Sequence, residues 1–200
     1  TLYELDIPFP DGQQSQSPVV DIPSDHVEML ASHIANGHVV ATCSGKGEIG
    51  PRALGNRSLL YRTDMINAPK YFNSRGLKKR EWWRPYGISI LESELSKYLK
   101  TKVLSPYMLH TATPTKLGAE KLKGVLHIDN TVRYQTVNES SGWYYELLLE
   151  VQNQTGHGVI VNTSLNKRGS PLINTAIEAL EFHQLYQPDA SFIGDQIYVS

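Results

Sequence analysis

The sequence predicts one domain of α/β (α+β) class, and three observations predict it. Short apolar runs at 38–43, 86–91 and 158–161 read as buried strands. Between them lie segments with helical apolar spacing, the clearest being Val27, Leu30 and Ile34, then Tyr144, Leu147, Leu148 and Val151. Hydrophobic residues make up 40% of the 200 residues and charged residues 20%, a soluble globular composition in a chain long enough to bury a stable core. Strands mixed with helices in this way point to the α/β or α+β class.

Residues 1–23 are rich in Pro, Gln, Ser and Asp and read as a linker or extended lead-in, so the folded domain is expected over 24–200. Ser24 or Asp25 can cap a first helix that runs to a stop at Asn36-Gly37. The strand 38–43 follows, then a glycine-rich loop, then a second helix near 66–76 ending at Gly76. Residues 86–91 form a strand and 92–100 a short amphipathic helix, while Pro106 and Pro114 break up 101–124. Val125–Asp129 reads as a strand leading into the alternating stretch Thr131–Val137. Trp143–Asn153 is a helix stopped by Gly156. Residues 158–161 form a short strand that gives way to a polar loop, Asn162–Asn166. A helix over 175–186 and strands at Phe192–Ile193 and Ile197–Val199 complete the chain.

The net charge of -1 gives no global attraction for nucleic acid or for a membrane surface, so an anion site has to come from local clustering. A single cysteine, Cys43, excludes an internal disulfide and fits a reducing compartment, and a cytoplasmic location is expected. No apolar run reaches the length of a membrane span, and there is no signal-peptide pattern. The chain opens on Thr1, which fits a fragment or a processed product.

The segment Gly45-Lys46-Gly47-Glu48-Ile49-Gly50-Pro51-Arg52-Ala53-Leu54-Gly55-Asn56-Arg57-Ser58 carries the strongest chemical signal. It follows a buried strand, holds four glycines, and sets Lys46, Arg52 and Arg57 against one carboxylate, Glu48. Glycine lets a backbone turn tightly and approach a ligand. Guanidinium groups offer forked donors that match phosphate or carboxylate oxygens. This pattern predicts an anion-binding loop. Neither a Walker-type Gly-x-x-x-x-Gly-Lys-Ser/Thr spacing nor a Gly-x-Gly-x-x-Gly follows the strand, which argues against the two common nucleotide loops.

Three further clusters add to it. Lys78, Lys79, Arg80 and Arg84 lie close together with Trp82 and Trp83 interleaved. A solvated basic turn over a tryptophan-filled core gives the same residues, but Lys78 and Arg80 share a face of an extended chain and repel unless an anion joins them. His127, Asp129, Thr131, Arg133 and Gln135 recur at every second position, as on one strand face, which an outer strand facing solvent also gives. His with Asp lacks the ligand count of a zinc site, so no metal is assigned. Asn162, Thr163, Ser164 and Asn166 pack polar groups behind an apolar strand; Ser164 has no identifiable general base and reads as a binding group, not a nucleophile.

In order, Glu48-x-Gly50-Pro51-Arg52-Ala53-Leu54-Gly55-Asn56-Arg57-Ser58, Arg80-Glu81-x-x-Arg84-Pro85, His127-x-Asp129-x-Thr131-x-Arg133-x-Gln135 and Asn162-Thr163-Ser164-x-Asn166 closely resemble the motifs of the NodU/CmcH-type O-carbamoyltransferases. The similarity runs from about residue 25 to the C-terminus. The resemblance implies the C-terminal, YrdC-like domain of that family, a twisted open α/β sheet with flanking helices and a positively charged cavity. It implies formation of carbamoyl adenylate from carbamoyl phosphate and ATP, with magnesium accompanying the ATP phosphates. An actin-like N-terminal transferase domain, in the same chain or a separate one, then passes the carbamoyl group to a hydroxyl acceptor. Arg52, Lys78, Arg80 and Arg133 are implied as catalytic cations. Glu48, Arg57, Arg84, His127, Asp129, Gln135, Asn162, Ser164 and Asn166 are implied in substrate or nucleotide binding.

Departures from the family pattern fall at Tyr86-Gly87-Ile88, where Phe-Ala-Pro is usual, at Tyr61–Asp64, where Asp-Pro-Arg is missing, and at Lys46, where arginine is common. Two alternatives stay open at this stage. One is a non-catalytic module that binds nucleotide or RNA, against which the net charge speaks. The other is a threonylcarbamoyl-adenylate synthase-like enzyme, against which the Glu48–Ser58 signature speaks.

Overall fold

The first helix forms where the apolar spacing put it, burying Val27, Leu30, Ala31 and Ile34 along one stripe. It starts behind Pro23, whose fixed φ suits helix entry, and no side-chain cap is made, so neither Ser24 nor Asp25 plays that part. The protein is seen here as a computed structural model that describes residues 4–5, 23–48, 50, 52–66, 68–74, 86–167 and 169–200. Lys78, Arg80 and Arg84 of the basic cluster, with Trp82 and Trp83, lie outside the described residues, as does Gly76.

In chain order the elements are β1 (Glu4–Leu5), α1 (Ser24–Ala35), β2 (Val40–Cys43), β3 (Gly47–Glu48), β4 (Arg57–Tyr61), α2 (Ala68–Ser74), β5 (Gly87–Leu91) and α3 (Leu95–Tyr98). There follow β6 (His110–Ala112), α4 (Lys116–Lys121), β7 (Val132–Val137), α5 (Trp143–Thr155), β8 (Val159–Ser164), α6 (Ala176–Tyr186), β9 (Ala190–Ile193) and β10 (Gln196–Val199). Among the described residues, eight strands form one mixed sheet in the order β10-β9-β2-β4-β8-β5-β7-β6, and β1 pairs with β3 apart from it. Pairs β2–β9 and β5–β7 are parallel and the other neighbours antiparallel.

Side chains alternate across each strand, so the sheet has two inner faces. On one face Ala41, Leu59, Tyr61, Ile88, Ile90, Val132, Tyr134, Val159 and Val161 pack with Phe72, Leu95, Tyr98, Leu122, Ala179 and Phe182 from the shorter helices and α6. On the other, Val40, Leu60, Leu91, Val137, Ile160 and Phe192 meet α1 and α5, the latter through Trp143, Tyr144, Leu147, Leu148 and Val151. Helices thus cover both faces, as the open-sheet expectation required. Each fully buried aliphatic side chain contributes about 1.5–3 kcal/mol relative to exposure. Helix α5 ends where glycine stops it: Gly156 takes a left-handed φ of 77° and donates to the Gln152 carbonyl at 2.7 Å. Helix α6 begins on a capping box between Thr175 and Glu178.

One strand is added to the expected elements and two local expectations are corrected. Residues 57–61, for which the sequence predicts no element, are a central strand: Arg57 and Ser58 are polar and leave only Leu59–Tyr61 as an apolar run. Residues 125–129 are turns, not a strand: Asn130 adopts φ 59°, the Asp129 carboxylate accepts from the backbone N–H of Thr131 at 3.0 Å, and the His127 N–H donates to the Thr131 carbonyl. Local Asx-turn chemistry wins there over apolar spacing. Strand β8 continues through Asn162 and Thr163 to Ser164, because Leu60, Leu59 and Ser58 of β4 pair with these residues and supply their backbone partners.

Leu147→Ala removes a fully buried side chain from the core between α1, α5 and the sheet. It is expected to lower the unfolding free energy by about 2–5 kcal/mol, read from the midpoint of a urea titration.

Candidate functional site

The chain leaves β2 at Cys43, loops over the end of the sheet, and returns as β4 at Arg57. Side chains fasten the loop from within. Glu48 Oε1 accepts the backbone N–H groups of Leu54 and Asn56, each at 2.9 Å. Asn56 Nδ2 donates to the Lys46 carbonyl at 3.2 Å. The Thr42 hydroxyl donates to the Gly55 carbonyl at 2.6 Å and accepts the Ser58 N–H at 3.1 Å, while the Gly55 N–H donates to Ser58 Oγ. Gly55 itself stands at φ 130°, and a Cβ there would lie 2.8 Å from the Tyr144 ring. Both the backbone angle and the ring beneath it require glycine.

Arg57 belongs to the same scaffold. Its guanidinium donates through one nitrogen to the carbonyls of Ser44 and Asn56, both at 2.7 Å, and through the other to the Gly45 carbonyl at 3.3 Å. The residue is 1% exposed. Its donors therefore brace the loop from below, which differs from the outward anion contact that the sequence motif implies.

Beneath the loop lies a floor of polar side chains. Strand alternation puts Thr42, Ser58, Ser89, Arg133, Gln135, Asn162 and Ser164 on the face that α1 and α5 cover further along. The same face is thus apolar at one end of the sheet and polar at the other. Ser89, Gln135, Tyr144 and Asn162 are all buried and bond to one another. Tyr144 donates to Ser89 Oγ at 2.8 Å, Ser89 to Gln135 Oε1 at 2.7 Å, and Asn162 Nδ2 approaches all three within 3.2 Å. Gln135 Nε2 then donates to the Leu54 carbonyl at 2.9 Å, tying floor to loop.

Burial shapes the electrostatics. It pushes the Glu48 carboxyl up to about 7, against the two backbone N–H bonds and the nearby Arg57 charge, which pull the other way. Glu48 as a residue is half-buried, but its Oε2 is shielded from solvent and has no hydrogen-bond partner among the described residues. Burial likewise lowers the pKa of Arg57, raises that of Tyr144 and raises the Cys43 thiol. His127 is held down by burial, with the Arg133 charge adding to the effect. Asp129 is exposed, and the Thr131 hydroxyl and N–H hold its carboxyl below the usual range.

The structure fastens Glu48 and Arg57 to the loop backbone, bonds Gln135 and Asn162 to one another beneath it, and sets Arg133 and Ser164 on the same sheet face as that pair. Arg52 sits half-buried within the loop. The polar series 127–135 does not form one strand face: only Arg133 and Gln135 are on β7, while His127, Asp129 and Thr131 form the turn before it. Ser164 and Asn166 bond to each other at 2.7 Å, and Asn166 also holds the carbonyls of Lys167 and Ser170. Ser89, Thr42 and Tyr144 line this floor and lie outside every sequence motif, while Ser58 closes one of them without having been given a role. Tyr144 was legible only as part of an apolar helix face. Ser89 interrupts the run Ile88–Leu91, and a hydroxyl inside a buried strand was the available signal. Among the described residues no three His, Cys, Asp or Glu side chains gather to hold a metal ion, and no helix is long and apolar enough to cross a membrane.

Chemically, the arrangement is a loop fastened by its own side chains over a polar floor at the end of a sheet, with Arg52 in the loop and Arg133 on the face of the floor. The whole domain superposes on full-length HypF in a phosphate- and nucleotide-bound form (TM-score 0.57, 20% identity, 88% of this chain and 22% of that one). It also superposes on Pyrococcus abyssi Sua5 complexed with L-threonine (TM-score 0.57, 17% identity, 88% of this chain and 48% of that one). These likenesses define the fold. The family model described as the carbamoyltransferase C-terminus matches residues 31–199, and the chain belongs to that family. Relatives include the 3'-hydroxymethylcephem-O-carbamoyltransferase of Streptomyces clavuligerus, 34% identical over 178 residues (88% of this chain, 33% of that protein). An uncharacterized protein of Methanocaldococcus jannaschii is 35% identical over 167 residues (83% of this chain, 27% of that protein). The chain spans between a quarter and a third of the length of these relatives. Family membership supports an enzyme role.

Two measurements check the loop's construction. The folded-state pKa of Glu48 lies above that of an unfolded glutamate, so the native state holds the proton more tightly and stability falls as pH rises from about 4.5 to about 7. Glu48→Gln removes this slope: relative to wild type the variant gains stability between pH 5 and pH 8, by up to about 3 kcal/mol, in parallel denaturant titrations. Gly55→Ala meets both the φ restriction and the Tyr144 ring. It is expected to cost about 2–4 kcal/mol, read as a lowered Tm.

Proposed function

We propose that this domain forms carbamoyl adenylate from carbamoyl phosphate and ATP, as the C-terminal part of an O-carbamoyltransferase that passes the carbamoyl group to a hydroxyl acceptor. The observation that carries the reading is the family match over 31–199, together with a loop that carries Arg52 and is tied through Leu54 to the sheet face bearing Arg133 and Ser164. The likeness in fold to a phosphate- and nucleotide-bound structure supports it.

Water releases inorganic phosphate from carbamoyl phosphate and leaves carbamate. A carbamate oxygen attacks the α-phosphorus of ATP, the bond from that phosphorus to the bridging oxygen breaks, and pyrophosphate departs. Two polyanions must be brought together, so positioned cations are the main catalytic need. Arg52 and Arg133 would supply them from the described part of the site, with Lys78, Arg80 and Arg84 from the basic cluster. Ser164 and Asn166 would orient a phosphate or the carbamoyl group, with His127 at the margin; Glu48, Arg57, Gln135 and Asn162 would keep the loop and floor in shape. Magnesium would enter on the ATP phosphates. No covalent intermediate on the protein is invoked, and rate comes from orientation and charge stabilisation.

The test is carbamoyl-phosphate-dependent exchange of labelled pyrophosphate into ATP, with the actin-like transferase domain co-expressed. Wild type is expected to exchange, and Arg133→Ala or Arg80→Ala to lower the rate by about 100-fold. A wild type that binds ATP but shows no exchange, or that instead binds RNA with a steep salt dependence, overturns the reading.

A further inference from the structure

Tyr144 and Ser89 stand outside every motif of the sequence, yet they occupy the middle of the buried cluster under the loop. The donors in that cluster run in one direction. The Tyr144 hydroxyl donates to Ser89, Ser89 donates to Gln135 Oε1, and Gln135 Nε2 donates to the Leu54 carbonyl. Asn162 Nδ2 adds a second donor toward Gln135 Oε1 at 3.2 Å. Were the Gln135 amide turned over, its NH2 would face the Asn162 NH2 and its oxygen would face the Leu54 carbonyl. Two repulsive contacts at once hold it in the observed sense. With its single hydrogen aimed at Ser89, Tyr144 leaves the Ser89 hydrogen for Gln135 Oε1 and so supports the same orientation. The same side chain touches the loop a second time, because its ring fills the space directly under Gly55. One residue of α5 thus controls two consecutive loop residues by unrelated contacts, one polar and one steric.

We infer that Tyr144 is a positioning residue for the loop over Arg52–Asn56, orienting Gln135 through Ser89 and seating Gly55, so that Arg52 is presented to the anionic substrates in one geometry. The inference rests on the proposed function, under which Arg52 meets nucleotide or carbamoyl phosphate. Buried hydrogen-bonded networks specify a single arrangement through their satisfied members, and here the Tyr144, Ser89 and Gln135 side chains and the Asn162 Nδ2 group are all engaged. The Tyr144 hydroxyl is the member nearest the helix, and its removal leaves the Ser89 oxygen and the Asn162 amide each short of one partner.

The experiment uses Tyr144→Phe, which keeps the ring under Gly55 and deletes only the hydroxyl. ATP affinity is measured by calorimetry in the Arg52 protein and in an Arg52→Ala background, beside amide hydrogen exchange at Leu54 and Asn56. Tyr144→Phe is expected to weaken ATP binding about tenfold with Arg52 present and less than twofold without it. The Leu54 and Asn56 amides are expected to exchange faster in the variant. Equal losses in both backgrounds, or unchanged affinity with unchanged amide exchange, overturn the inference. Should Tyr144→Phe fail to fold, Ser89→Ala breaks the same relay one step along and is held to the same outcomes. A wild type that binds ATP but supports no pyrophosphate exchange sinks the proposed function, while the amide exchange still decides the positioning role.

Discussion

Everything at this end of the molecule depends on one buried carboxyl. Glu48 gathers two backbone N–H groups six and eight residues ahead of it, and so closes the loop on itself. Burying a carboxyl is costly unless it is hydrogen-bonded, and here two bonds and a neighbouring guanidinium offset the cost only in part. Arg57 repeats the device with the opposite sign, gathering three carbonyls. Between them the two charged side chains satisfy both kinds of backbone group in a segment with almost no secondary structure to do so. The ion pairs Arg62–Asp64, Lys97–Glu94 and Lys121–Glu120 lie at or near the surface and contribute far less.

The place of the loop follows from the pattern of the strands beneath it. Along β8 the side chains facing α5 change from Ile160 to Asn162 to Ser164, and along β4 from Leu60 to Ser58. The helices α1 and α5 seal the apolar end of that face. The polar end needs a cover that can accept and donate hydrogen bonds, and the loop provides it through the Leu54 carbonyl. Site and core are therefore two ends of one surface, with Tyr144 at the border: its ring belongs to the apolar cluster and its hydroxyl to the polar one.

Much of this was legible in the sequence. Helices with a regular apolar stripe, α1 and α5, stood out, since Val27, Leu30, Ile34 and then Leu147, Leu148, Val151 record which face is buried. So did the loop, whose glycines and arginines have no reason to cluster in a plain turn. Strand β4 was not legible, because its first residues, Arg57 and Ser58, are polar and close the glycine-rich motif, leaving only Leu59–Tyr61 as an apolar run. The turn before β7 misled for the opposite reason: His127, Asp129 and Thr131 alternate by accident of an Asx turn, not by facing one side of a sheet. Motif residues announced that they matter without announcing how. Arg57 and Arg52 look alike in sequence, and only packing separates a cation bound to the protein's own carbonyls from one half-buried within the loop.

That separation bears on how such a site can work. Under the proposed function, joining two polyanions would be opposed by their mutual repulsion and by the entropy of holding each in place. Cations on mobile chains would lower the first term and raise the second. A loop whose N–H and carbonyl groups are already engaged by Glu48, Arg57, Thr42, Ser58 and Gln135 has little freedom left to lose when a ligand arrives. The cost of ordering it was met in folding, by the burial of α5 against the sheet that also brings Tyr144 beneath Gly55. Stability of the apolar end and readiness of the polar end are in this way one quantity, and a substitution that loosens α5 reaches the loop without touching it.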